Sequence, residues 1–197
     1  MKKVTLFVVM AFAAIAMTSC DNKAAKKEAI MQEVETFFSQ AEQKLATLNN
    51  TEEFLAFFNE LSTSKSEFAQ NLYAKYEADD QGNFKGFTPE ESKEISEEIY
   101  ARATEYNKKE SAKCAEFLTP LIDNLKTVVD NAKAEYEANG QVSEETEALV
   151  EAASEKVLAY SDYDNVPTEL QDRFAEIAAI WDSISPDEVE EVVAIEE

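Results

Sequence analysis

Beyond the first twenty residues, apolar side chains recur at steps of three and four almost everywhere, the spacing of amphipathic helices. Ile30, Val34, Phe37, Phe38, Ala41, Leu45 and Leu48 make one stripe, and Phe54, Phe57, Phe58, Leu61, Phe68, Leu72 and Tyr76 make the next. The polar run Asn49-Asn50-Thr51-Glu52-Glu53 separates them. Asn50 is placed to cap the second helix, with Glu53 reaching back in the manner of a capping box. A junction this short predicts an antiparallel hairpin. The adjacent Phe pairs widen each stripe, so each helix is expected to touch more than one neighbour.

The longest interruption runs from Asp79 to Phe87 and holds Gly82 and Gly86. Thr88-Pro89-Glu90-Glu91 then combines a capping residue, Pro in the first turn and Glu at the capping-box position, a strong helix start. Ile95, Ile99, Ala103 and Tyr106 continue the stripe, and Phe117, Leu121, Leu125, Val128 and Ala132 carry the same phase onward. Pro120 interrupts it, and two readings stand: the helix kinks there, or Thr119 caps a new helix. Asn139-Gly140 predicts a stop. Ser143-Glu144-Glu145 predicts a restart, with Leu149, Ala152, Ala153, Val157 and Tyr160 as a weaker stripe. A loop over 161–167 precedes a last clear face of Leu170, Phe174, Ile177, Trp181 and Ile184. Ser185-Pro186-Asp187-Glu188 opens an acidic C-terminal helix or tail over 186–197. No segment alternates like a strand, and no fixed-period repeat is present. The expected fold is all-α, an antiparallel bundle of five or six helices occupying 29–185 as one domain, with roughly 70% of the unfolded surface buried.

Composition removes whole classes of function. The chain has 197 residues, 18 basic and 41 acidic side chains and no histidine, a formal charge of −23. A surface this acidic repels phosphate, so no nucleic-acid partner is expected. Without His there is no His-ligated zinc, no carboxylate–histidine iron site, no His-bound haem and no Ser-His-Asp triad. Three glycines leave no material for a phosphate-cradling loop. No cofactor, metal site or catalytic residue is assigned.

The N-terminus carries an address. Met1-Lys2-Lys3 is a positive n-region, and Val4 to Met17 is an uncharged, mostly apolar stretch of signal-peptide length, short of a membrane span. Met17-Thr18-Ser19-Cys20 follows, then polar Asp21-Asn22-Lys23. This run resembles a bacterial lipoprotein precursor, in which a lipobox of small residues ends in Cys. Ser19 and Thr18 suit the two positions before the Cys, and Met17 stands where Leu is usual. The resemblance covers residues 1–20. It implies a signal peptide over 1–19, cleavage before Cys20, diacylglycerol on the Cys20 thiol, a lipidated tether over 20–28, and attachment to a membrane of the bacterial cell envelope through the acyl chains. The outer membrane is the expected location. Asp21 directly after the Cys also resembles the inner-membrane retention signal of some Gram-negative bacteria, whereas in other lineages acidic residues there accompany export to the surface. A competing reading is plain secretion after the A-x-A site Ala14-Ile15-Ala16.

Removing 19 of 197 residues would leave 178, with 16 basic and 41 acidic side chains, or −25. Residues 141–197 alone hold 17 acidic and two basic side chains, or −15. Cys114 would be the remaining thiol, expected as a small buried hydrophobe on a helix.

The remaining motifs are short. Asp79, Gln81, Asn83 and Glu90 occupy positions 1, 3, 5 and 12 of an EF-hand register, but Phe84 stands where Gly is needed and Gly86 where an apolar residue belongs. A polar interhelical turn accounts for the loop, and Asp162-Tyr163-Asp164-Asn165 matches less well. Glu90, Glu91, Glu94, Glu97 and Glu98, and likewise Glu144, Glu145, Glu147, Glu151 and Glu155, read as solvated acidic faces. Glu91-Ser92 and Tyr106-Asn107 resemble two short motifs of the lytic transglycosylases, α-rich enzymes that cleave cell-wall glycan with one Glu. The glycine-bearing motif between them is absent. A general acid also needs a raised pKa, which a helix start disfavours. The loop aromatics Phe84 and Tyr163 are expected to cap the bundle. The expectation is thus a membrane-anchored, non-catalytic binding or structural module with an envelope protein as its partner. The alternatives are an envelope enzyme acting on glycan and a cation or small-ligand binder.

Overall fold

A computed structural model describes residues 23–161 and 163–185. Cys20, the 1–19 segment, Asp162 and the 186–197 segment lie outside the described residues. The fold is all-α: among the described residues there are five helices and no strand. They are α1 (Lys23–Ala46), α2 (Thr51–Lys75), α3 (Pro89–Asn139), α4 (Glu144–Leu158) and α5 (Thr168–Ile184). Residues 23–28, within the expected tether, are helical and part of α1.

The helices form two compact units, one made of α1, α2 and α3 as far as Lys109, the other of α3 from Glu110 with α4 and α5. Helix length explains the division. Of the 51 residues of α3, the 21 from Pro89 to Lys109 belong to the first unit and the 30 from Glu110 to Asn139 to the second. The partners have 24, 25, 15 and 17 residues, hence about 23–38 Å each. No partner can cover α3 along its length.

In the first unit the predicted stripes are the core. Every position named for α1 is buried, and in α2 only Phe58 is less than fully so. Phe37 stacks on Phe68 with ring centroids 4.4 Å apart, and Phe38 meets Tyr106 of α3 at 5.4 Å. The caps form as the sequence indicates. The Glu53 amide donates to Asn50 Oδ1 at 2.9 Å, and the Glu53 carboxylate accepts from the Asn49 amide, one residue earlier than a capping box requires. At Thr88 the box is reciprocal: the Glu91 amide donates to Thr88 Oγ1 at 3.2 Å and the Thr88 amide to Glu91 Oε2 at 2.7 Å. Helix α2 ends in a Schellman motif, with the Ala78 amide on the Tyr73 carbonyl and the Glu77 amide on the Ala74 carbonyl. Glu77 takes φ of +50° there, where glycine is usual.

In the second unit the buried face of α3 is Cys114, Leu118, Ile122, Leu125, Val129 and Ala132. The predicted Phe117, Leu121 and Val128 lie one position away, about 100° around the axis, and are half-buried. Different partners cover α3 from Glu110 onward: Arg173 of α5 pairs with Asp123, and Glu135 accepts from Thr146 of α4. On α4 the buried residues are Val150, Ala153 and Val157, with Tyr160 just after it; Leu149 and Ala152, expected inside, are exposed. Helix α3 runs through Pro120 without a break, which resolves the two readings in favour of one helix. The ring removes the donor for the Glu116 carbonyl. Both residues are exposed, so water can serve that carbonyl. Gly140 ends the helix at φ +73°, its amide on the Tyr136 carbonyl at 2.7 Å.

Candidate functional site

Cys20, the expected lipidation residue, lies outside the described residues; from Lys23 onward the chain is built into the first unit. Lys23 Nζ pairs with Glu91 at 2.7 Å and Lys27 Nζ with Glu98 at 2.7 Å, both on α3. Lys26 Nζ donates to the Lys85 carbonyl and lies 6.0 Å from the Tyr76 ring centre and 5.8 Å from that of Phe87. These lysines therefore fasten the first two turns of α1 to the 79–88 loop and the start of α3. The same contacts act on the acids. Glu91 is held below the usual carboxylate range, first by Lys23 and then by the Thr88 amide. That is the opposite of what a general acid requires.

The 79–88 loop satisfies itself. Asp79 accepts from the Gln81 and Asn83 amides at 2.9 and 2.8 Å and from Asn83 Nδ2 at 2.9 Å, which keeps its carboxylate charged. Its oxygens serve the turn, as the polar-turn reading expects. Phe84 is buried, and its amide donates to the buried Ser92 hydroxyl at 3.1 Å. The Phe87 amide closes on the Phe84 carbonyl at 3.1 Å with Gly86 at φ +88°, the turn position that needs positive φ. Lys85 stands at the tip and pairs with Glu77 at 2.6 Å while remaining mostly exposed.

Two polar arrangements were not foreseen. In the first unit, Arg102 is nearly buried over the Phe38 ring, 5.4 Å from its centre. It donates from Nε and Nη2 to Glu35 at 2.6 and 3.3 Å, and its Nη1 meets Glu42 at 2.8 Å as an ion contact off the hydrogen-bond direction. Lys109 reaches Glu42 at 2.7 Å. Tyr76 Oη donates to Glu33 at 2.5 Å, and burial first, then that carboxylate, pushes its phenol above the usual range.

In the second unit, Glu110 is fully buried and accepts from Asn165 Nδ2 at 3.3 Å. One turn later, Cys114 is buried and in no disulfide. Burial, then the Glu110 charge, pushes its thiol up to about 12. It is the small buried hydrophobe expected, and an unreactive one. The signal for Glu110 was its spacing: it lies four residues after Tyr106 and four before Cys114, on the stripe itself. Tyr163 and Phe84 are both buried, as the capping role requires.

The Glu90–Glu98 face is shared with lysines of α1, and Lys93 adds a pair with Glu97 at 3.8 Å. Glu144, Glu145, Glu147, Glu151 and Glu155 are all exposed. Among the described residues no group of three Cys, Asp or Glu side chains is arranged to hold a metal ion, and no helix is long and apolar enough to cross a membrane. Comparison with protein families, with curated proteins and with solved structures finds no match.

Proposed function

We propose that this chain is a lipid-anchored lipoprotein of a bacterial cell envelope, attached through Cys20 and working as a non-catalytic binding or structural module. The observation that carries the reading is the join between address and fold. The lipobox-like Met17-Thr18-Ser19-Cys20 stands three residues before Lys23, which is already helical and paired with Glu91 of α3. Packing this close to Cys20 leaves only a short leash to an anchor there, and two or three acyl chains on that residue hold a protein on a membrane where one would not. The non-catalytic part is supported by Glu91, which is kept charged by Lys23 and Thr88, and by Asp79, whose oxygens serve its own loop. The acidic C-terminal third favours a cationic or neutral partner over nucleic acid. Metabolic labelling with a fatty acid tests the anchor: wild type takes up label and Cys20→Ser does not. Crosslinking in intact cells tests the module: an envelope protein co-purifies with wild type. Wild type without label refutes the anchor, and a chain that crosslinks to nothing refutes the interaction role.

A further inference from the structure

The first unit has two ends, and only one of them is near Cys20. Three Cα steps separate Cys20 from Lys23, at most about 11 Å. The lysine contacts place the 79–88 loop and the start of α3 beside the start of α1. The turn after α1 lies 24 residues further on, about 36 Å along the helix.

We propose that the end of the first unit formed by the start of α1, the 79–88 loop and the start of α3 rests on the lipid surface, with Lys85, Gly86 and Phe87 at the contact. The proposal rests on the lipoprotein reading and says which face of the protein meets the membrane. Two observations beyond leash length support it. The first is charge. The chain as a whole is strongly acidic, yet at this end Glu91, Glu98 and Glu77 are matched by Lys23, Lys27 and Lys85, and the Asp79 carboxylate is turned onto its own loop. Glu28, Asp80, Glu90, Glu94 and Glu97 remain exposed acids, with Lys93 beside Glu97. Residues 23–28 and 77–98 together hold five basic and nine acidic side chains, a lower density of negative charge than residues 141–197, so a lipid surface carrying anionic headgroups repels this end less than it repels that segment. The second is the loop tip. The turn at Gly86 holds Lys85 outward, its ammonium on Glu77, and leaves Phe87 half-exposed with Lys26 Nζ 5.8 Å from its ring centre, an aromatic ring among lysine side chains, which suits a headgroup boundary.

The test uses the full chain, processed in cells, purified from membranes and placed in vesicles of phosphatidylethanolamine with a minority of phosphatidylglycerol, some of it carrying a headgroup nitroxide quencher. A fluorophore is attached at Gln81→Cys in one variant and at Ala46→Cys, the far end of α1, in another. Both positions are exposed, and buried Cys114 does not compete for the reagent. Far-UV dichroism checks that each variant keeps its helix content. The expected result is strong quenching at 81 and several-fold weaker quenching at 46. Equal quenching at the two positions, or stronger quenching at 46, overturns the proposal. Intact mass of the same preparation separates the two ideas. Acyl chains on Cys20 with equal quenching refute only the orientation. No acyl mass refutes the anchor, and the orientation with it.

Discussion

Replacing Pro120 by Ala should stabilise this protein, and the size of the effect follows from where the proline sits. Position 120 is inside α3, with helix continuing 19 residues beyond it to Asn139. In a helix interior Pro is less favourable than Ala by about 3 kcal/mol, through the missing amide and the clash with the carbonyl four residues back. That carbonyl belongs to Glu116. Both residues are exposed, so Ala removes no core contact and lets the 120 amide donate to it. Against this, Pro restricts the unfolded chain, worth about 0.4–1 kcal/mol, which Ala gives up. The net expectation is a gain of about 2 kcal/mol. Urea unfolding followed by helical dichroism reads it directly. With a slope of about 1–3 kcal/mol per molar urea, the midpoint of the transition that unfolds α3 rises by roughly 1 M. If Thr119 instead capped a separate helix with Pro120 in its first turn, the substitution would remove a favourable residue. An unchanged or lowered midpoint therefore refutes the continuous-helix account.

Other expectations rest on single contacts. Phe37→Ala opens the stack on Phe68 and should cost about 3–5 kcal/mol, whereas Tyr100→Ala, 75% exposed, should change stability by less than about 0.5 kcal/mol. Glu42 is held below the usual glutamate value of 4.5, chiefly by Lys109 and then by Arg102. Because its folded pKa is lowered, the stability it contributes is full above that value and is lost as pH falls through the folded pKa. The margin in melting temperature of wild type over Glu42→Gln should thus be largest near neutrality and shrink as pH falls through the lowered folded pKa; a margin that widens on acidification would contradict the ion pair. Cys114, buried with its thiol pushed up to about 12, should resist a thiol reagent at mild alkaline pH and react once the chain is unfolded in denaturant. Ready reaction in the folded protein would be incompatible with the described packing.

The parts of the fold legible in the sequence are those set by local chemistry. Asn50, Thr88 and Gly140 mark helix ends because each supplies a backbone group with a partner, or a φ, that few residues can. The α1 and α2 stripes were legible because their apolar residues fall on one face with polar residues opposite. Helix α3 was harder. Phe117, Leu121 and Val128 lie beside Leu118, Ile122 and Val129, so two adjacent faces are both apolar, and only the partner helices decide which is buried. Leu149 and Ala152 were misplaced for the same reason: α4 is short and carries small apolar residues around much of its circumference. Glu110 escaped notice because a charged residue on a stripe reads as a gap in it, although the spacing from Tyr106 to Cys114 passes through it. The Arg102 cluster was not visible at all, since Glu35 and Glu42 lie some 60 residues from it and meet it only once α1 packs on α3.

The most direct test of the account is the intact mass of the protein recovered from membranes of cells that express the full chain. The account predicts a polypeptide of 178 residues beginning at Cys20, the remainder after 19 of 197 are removed, with the added mass of a diacylglycerol on that residue. A chain beginning at Met17 and free of lipid, the product of cleavage after Ala16, would contradict it.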